Sequence, residues 1–178
     1  KIAVTGDGRV AGGVLEILNH LNVWRLTPEQ YLGIEKPNLP VYTQLLPENY
    51  VRRKNGYEFD LFHFFLNPAE YQNAFLPFAK STDLLMAAAY WDPKAPVLFT
   101  AEDMKSKSFR ISVISDITCD IEGSVASTKR SSTIEEPYYD YNPATEELEP
   151  AFSSAKNITV QAVDNLPCEL PKDASLDF

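Results

Sequence analysis

Residues 2–13 read Ile2-Ala3-Val4-Thr5-Gly6-Asp7-Gly8-Arg9-Val10-Ala11-Gly12-Gly13. An apolar run enters a glycine turn, and apolar residues at helical spacing follow at Val14, Leu15, Ile17, Leu18 and Leu21. A buried strand that empties into a helix N-terminus aims unpaired backbone N–H groups, and the positive end of the helix dipole, at one point. Such a point binds an anion. Gly6 permits a tight turn, Gly8 has no side chain to block a diphosphate, and Ala11 stands where a small third residue lets helix and strand approach. The spacing is G-x-G-x-x-A, a variant of the dinucleotide fingerprint. Glycines so spaced also occur in ordinary strand–helix turns, so the placement between strand and helix carries the reading. Gly6, Gly8, Arg9 and Val10 are the expected contacts to a dinucleotide at this end. Arg9 either points to solvent or folds over phosphate oxygens, which suit its planar cation.

Further groups that could do chemistry follow predicted strands. Asp116-Ile117-Thr118-Cys119-Asp120 places one carboxylate at a strand end and another four residues on. On one reading Asp116 caps a turn and Asp120 is solvated. On the other, Asp120 enters a cleft and accepts hydrogen bonds from a ribose or a substrate amine. Val163-Asp164-Asn165-Leu166-Pro167 is the last strand-to-helix turn, where Asp164 or Asn165 either caps a helix ahead of the proline or meets a nicotinamide ribose or carboxamide. Trp24-Arg25-Leu26-Thr27 ends the second predicted strand, where an acid would favour NAD and an arginine would accommodate the 2′-phosphate of NADP. Arg25 leans toward NADP. Tyr90, Trp91 and His63 lie in apolar runs and read as core. With His20 and His63 the only histidines and Cys119 and Cys168 the only cysteines, neither a dedicated metal site nor a disulfide framework is expected.

The elements that must position these groups alternate. After the first strand and a helix over residues 10–21 come a short strand at 22–26 and a helix start at Thr27-Pro28. Strands are expected at 59–66, 83–91, 111–117 and 158–163, a capped helix start at Thr100, and a final helix from Pro167. Residues 39–53 read as an extended crossing or a small added element, and residues 122–154 as a long turn-rich segment. The pattern predicts an α/β fold: a doubly wound, Rossmann-type parallel sheet with helices on both faces and ligands beyond the carboxyl ends of the strands.

The 178 residues suffice for one domain with a full core, and 44% of them are hydrophobic. A net charge of −9 argues against nucleic acid and anionic membranes as partners. No apolar stretch approaches bilayer length. The sparse cysteines suggest a reducing cytoplasm. The first strand begins one residue after Lys1, and Ala174-Ser175-Leu176-Asp177-Phe178 reads as mid-helix. The whole of residues 1–178 is therefore expected to be a dinucleotide-binding domain from a longer chain.

Several segments together resemble the saccharopine dehydrogenase (lysine-forming) and lysine–2-oxoglutarate reductase family. The glycine turn is similar to that family's turn, and Asn67-Pro68-Ala69-Glu70-Tyr71 to its D-P-A-E-Y. Ala89-Tyr90-Trp91 resembles I-Y-W, and Asp116-Ile117-Thr118-Cys119-Asp120 with Gly123-Ser124 resembles D-I-S-A-D-x-x-G-S. Thr133-Ile134-Glu135-Glu136-Pro137 is similar to T-I-E-H-P, and Val163-Asp164-Asn165-Leu166-Pro167 with Leu170-Pro171 to V-D-N-L-P…L-P. Alanine dehydrogenase and the nucleotide-binding part of transhydrogenase are wider relatives. The resemblance implies the NAD(P)-binding domain of an oxidoreductase that transfers hydride at a C–N bond. It places Gly8, Arg9, Tyr90 and Ile117 against the dinucleotide and Val163, Asp164, Asn165 and Leu166 around its nicotinamide half. Thr118, Cys119 and Asp120 would face an amino-acid substrate, with Asp120 in a catalytic role. The ribose-reading position falls near Leu26, which leaves NAD and NADP both open. A catalytic lysine and histidine belong to a separate domain that shares the substrate, so this chain alone is expected to be inactive. An alanine dehydrogenase-like domain and a non-catalytic nucleotide-binding module are the alternatives, and assembly into a homo-oligomer stays open.

Overall fold

The computed structural model describes residues 1–177; Phe178, the last residue of the expected terminal helix, lies outside them. The first strand, β1 (Ile2–Thr5), enters the glycine turn and α1 (Arg9–His20) leaves it. Then follow β2 (Trp24–Arg25) and α2 (Pro28–Gly33), the latter opened by a capping box in which Thr27 Oγ1 accepts from Gln30 N–H while the Gln30 side chain accepts from Thr27 N–H. Next come β3 (Val41–Leu45), α3 (Pro47–Tyr50), β4 (Val51–Arg53), α4 (Leu61–Leu66), β5 (Tyr71–Asn73) and α5 (Leu76–Ala79). The chain continues through β6 (Leu84–Ala87), α6 (Ala101–Met104), β7 (Val113–Asp116), β8 (Tyr138–Tyr141), β9 (Leu148–Glu149) and β10 (Ile158–Gln161), and ends in α7 (Pro171–Asp177). Short 3₁₀ turns occupy Pro68–Glu70 and Leu166–Glu169.

The main sheet has eight strands in the order β2-β3-β1-β6-β7-β10-β8-β9. From β2 to β10 every pairing is parallel, and β8 and β9 add an antiparallel edge. Successive residues of a strand face opposite sides of the sheet. On one side Val4 and Tyr42 pack with Ala88 under Ala11, Val14 and Leu18 of α1. On the other, Ala3, Leu45, Leu85 and Ile114 join a larger core with Tyr31 of α2, Tyr50 of α3, Phe78 of α5 and Met104 of α6. The fold is thus the expected α/β sheet with helices on both faces.

Four local expectations are corrected. Residues 39–53 hold β3, a buried strand in the sheet interior and the parallel neighbour of β1, with register Ile2↔Tyr42 through Thr5↔Leu45. Its Val41-Tyr42-Thr43 run has the β-branched and aromatic character of a strand, but prolines at 40 and 47 hid it. Within residues 59–66, where a strand was expected, Leu61–Leu66 form the helix α4. The Asp60 carboxylate accepts from His63 N–H at 2.6 Å and starts it, and no residue of α4 is fully buried. An apolar run of this length carries no period that separates strand from helix. Residues 122–154 contain the β8–β9 hairpin that closes the sheet's far edge. The last helix also begins later than expected, at Pro171, after the 3₁₀ turn.

Candidate functional site

The turn after β1 divides two tasks between its glycines. Gly6 adopts φ +99°, and a Cβ there would lie 2.9 Å from the Ala88 carbonyl oxygen. Its N–H donates to Leu45 O at 2.9 Å, and its carbonyl accepts from Gln44 Nε2 at 2.9 Å. Gly6 is therefore locked between β3 and the strand end on the other side, β6. Gly8 is the opposite: extended at φ −74°, exposed, with open space around an added Cβ. It is the N-cap of α1, no side chain caps that helix, and no acid sits in its first turn. Gly8 itself brings no side chain to the first turn of α1.

The chain leaves β1 for β2 and β3 on one side, then crosses to β6 on the other, so β1 and β6 flank the topological switch point. A cleft of about 290 Å³ opens there. Gly6, Asp7 and Gly8 form one wall, Ala88 through Asp92 a second, and Pro47, Tyr50, Phe64 and Phe65 a third. Tyr90 is 86% exposed at its rim. That overturns the core reading of Tyr90, and Trp91 lines the cleft beside it. Burial, then the nearby Asp7 and Glu48 carboxylates, push the Tyr50 hydroxyl well above the ordinary tyrosine range. His63 packs against the Tyr71 ring on α4, with Nδ1 3.3 Å from its hydroxyl, and does not line the cleft.

A second group gathers at the mouths of β7 and β10. Ile117 donates its N–H to Ala87 O at 3.0 Å and packs on the α1-side cluster. Asp116 is buried and accepts from the hydroxyls of Thr118 and Thr128, each at 2.6 Å. Burial raises its pKa against those two hydrogen bonds. Asp116 thus organises the turn, as expected for it. Cys119, at φ 51°, points its thiol to Ala162 O at 3.2 Å. Burial first, then Asp164, Asp116 and Asp120, raise the thiol pKa, which disfavours the nucleophilic thiolate. Asp120 is half-buried, and its carbonyl accepts from Gly123 N–H at 2.8 Å. Asp164 and Asn165 are exposed, with Asn165 in a left-handed conformation that turns the chain into Leu166. Neither caps a helix with its side chain, since the 3₁₀ turn after Asn165 has no side-chain cap.

Among the residues expected at the site, Gly6, Gly8 and Tyr90 meet in the cleft, with Arg9 and Val10 opening α1 beside it. Ile117, Thr118, Cys119 and Asp120 follow β7, and Val163 and Asp164 follow its parallel neighbour β10, with Cys119 reaching across to Ala162 O. Arg25 and Leu26 stand apart. Arg25 ends the edge strand β2 with Nη2 bound to Gln44 Oε1 at 2.8 Å, and Leu26 follows it and packs on the core. Asp7, Pro47, Tyr50, Phe64 and Phe65 were missed. Asp7 was legible inside the glycine motif, whereas the other four depend on elements whose type or position was misread. No cluster of three metal-ligating side chains occurs among the described residues, and no helix among them is long and apolar enough to cross a membrane.

No family model matches the chain. Alpha-aminoadipic semialdehyde synthase of Arabidopsis thaliana is 27% identical over 199 residues, covering 98% of this chain. The mitochondrial alpha-aminoadipic semialdehyde synthases of Mus musculus and Rattus norvegicus are each 28% identical over 195 residues, again 98% of the chain. The chain is similar to the alpha-aminoadipic semialdehyde synthases. It spans 18% of the length of the Arabidopsis synthase and 21% of the mouse and rat ones. The similarity thus covers the whole run of motifs from the glycine turn to Leu170-Pro171. The rodent synthases are named as mitochondrial, so the cytoplasmic setting expected from cysteine usage finds no support in them.

Proposed function

We propose that this chain is the NAD(P)-binding part of an amino-acid oxidoreductase that acts on a C–N bond, joining lysine and 2-oxoglutarate reductively into saccharopine or running the reverse. The observation that carries the reading is Gly8: an exposed, uncapped helix start whose missing side chain opens into the cleft at the switch point. The donors there suit a diphosphate, because α1 has no acid in its first turn to compete. The synthases' printed name, a product one oxidation step below an amino-dicarboxylic acid, fits lysine chemistry.

The chain's own residues then divide the work. The first turn of α1 holds the diphosphate, and the cleft walled by Asp7, Tyr50 and Pro47 takes one end of the ligand. At about 290 Å³ the cleft lies at the bottom of the usual range for a whole small-molecule site, about 300–1,000 Å³. A dinucleotide must therefore extend past it, along the strand mouths toward Ile117 and Val163. When bound, the nicotinamide supplies the hydride. Ile117 and Val163 orient that ring, and Asp120 accepts a hydrogen bond from the substrate amine. Proton transfers fall to groups outside this chain.

Calorimetric titration of the 178-residue chain with NADH and NADPH tests the binding half of this reading. A saturable heat with either nucleotide supports it, and none with both removes it. Assay of the intact parent with lysine, 2-oxoglutarate and reduced cofactor, against pyruvate and ammonia, tests the chemistry. Turnover of the second pair alone assigns the alanine dehydrogenase-like activity instead.

A further inference from the structure

The parallel ladder between β1 and β3 runs into a proline. Gly6 N–H donates to Leu45 O at 2.9 Å, which carries the register one step past its last strand pair, Thr5↔Leu45. In that register the main-chain donor that would serve the Gly6 carbonyl belongs to residue 47. Residue 47 is Pro47, which has no N–H. The ladder therefore cannot hold the carbonyl at the head of the glycine turn.

A side chain takes the place of the missing donor. Gln44 is half-buried on β3, donates from Nε2 to Gly6 O at 2.9 Å and accepts at Oε1 from Arg25 Nη2 at 2.8 Å. A guanidinium only donates and a carbonyl only accepts, so a single orientation of the Gln44 amide satisfies both partners. Arg25 thereby fixes which end of the amide faces the turn. The two hydrogen bonds run from the edge strand β2, across β3, to the turn after β1.

The consequence falls on the next peptide. The Gly6–Asp7 bond is trans, and in a planar trans unit the C=O and N–H point opposite ways. Gly6, Asp7 and Gly8 line the cleft and Gln44 does not. Holding Gly6 O toward Gln44 turns Asp7 N–H away from it. Gly6 is also fixed at φ +99°, with the Ala88 and Ala89 main chain close against it. The course of the turn from Gly6 to the Gly8 N-cap is thus held from behind, by a side chain outside the cleft.

We propose that Gln44 is a positioning residue for dinucleotide binding: oriented by Arg25, it stands in for the donor that Pro47 lacks and presets the glycine turn for a diphosphate. This role rests on the dinucleotide reading given above. The test is titration of the 178-residue chain with NADH and with NADPH, followed by nucleotide fluorescence and paired with thermal melts, for the unaltered chain, Gln44→Glu and Arg25→Ala. Gln44→Glu keeps the size of the side chain and an acceptor for Arg25 but has no donor for Gly6 O. It is expected to weaken binding of both nucleotides about fivefold or more, with the melting temperature unchanged because the Arg25 contact becomes an ion pair. Arg25→Ala is expected to weaken both nucleotides by one common, smaller factor. If Gln44 served only to tie β2 to β3, Gln44→Glu would bind like the unaltered chain, since it keeps that tie. Such a result, or a loss of affinity only in step with a lower melting temperature, overturns the positioning role and leaves the dinucleotide reading standing. No loss in Arg25→Ala, or a loss confined to NADPH, overturns the part given to Arg25. Binding of neither nucleotide by the unaltered chain overturns both readings.

Discussion

Gly6 and Ala88 meet backbone to backbone. A Cβ on Gly6 would sit 2.9 Å from the Ala88 carbonyl oxygen and 3.0 Å from Ala89 Cα, and Gly6 already holds φ +99°. Both obstacles are main chain, so neither gives way cheaply. Gly6→Ala is expected to cost about 1–3 kcal/mol of stability, from the left-handed backbone alone before the clash is added. Denaturant unfolding monitored by circular dichroism measures it. A midpoint equal to that of the unaltered chain would show that the ends of β1 and β6 are not packed as described.

Gly8 behaves differently. Its φ of −74° and ψ of −173° suit any residue, and nothing lies within 4 Å of an added Cβ. Gly8→Val is expected to leave stability within about 0.5 kcal/mol while lowering dinucleotide affinity at least tenfold, because the side chain would stand where the diphosphate approaches. Paired melting and calorimetric titration check both halves. Retained affinity would remove the anion site from the α1 N-terminus.

Asp140 on β8 is fully buried and is a hub of donors. Its carboxylate accepts from Thr159 Oγ1 at 2.7 Å, Ser153 N–H at 2.9 Å and Phe152 N–H at 3.0 Å. Burial raises its pKa, but these hydrogen bonds outweigh it and hold the carboxyl below the ordinary range. A group depressed on folding stabilises the protein above its unfolded pKa, about 3.9 for aspartate, and that contribution is lost as pH falls through the folded value. Asp140→Asn orphans at least one donor and is expected to cost about 1–3 kcal/mol at pH 7. Its unfolding free energy should also depend less on pH below about 4 than that of the unaltered chain. Urea titrations between pH 3 and pH 7 give both numbers, and parallel pH profiles would contradict the role assigned to the carboxylate.

Asp120 and Gly123 form a second sensitive pair. A Cβ on Gly123 would lie 2.5 Å from Asp120 Cβ and 2.8 Å from Asp120 O. Gly123→Ala must move Asp120, while Asp120→Asn leaves the loop in place and removes its charge. In the intact parent, Asp120→Asn is expected to lower turnover about tenfold or more with an unchanged melting temperature, and Gly123→Ala to lower both. A normal rate for Asp120→Asn would take that carboxylate out of the substrate site.

The legible parts of this protein were those whose signals are local. The β1–glycine turn–α1 unit, the capping hydroxyls Thr27 and Thr100, and the strands at 84–87, 113–116 and 158–161 all declare themselves within a few residues. The run 59–66 failed because an unbroken apolar segment has no period, and only its surroundings decide its shape. There Phe64 packs edge-on against Tyr71, at 4.9 Å between ring centres, while Phe62 and Phe65 stay exposed.

The sequence by itself determined that a gap follows the first strand, since Gly8 lacks a side chain in every conformation and helix signals come directly after it. Only the tertiary structure decided what stands beside that gap. Strand order arises from pairing between residues some forty positions apart, as in Thr5↔Leu45, and no spacing rule within a segment encodes which strand inserts next to which. Because β3 took the place beside β1, Arg25 was carried to the sheet edge, and Pro47 and Tyr50 were brought to the cleft beside Asp7.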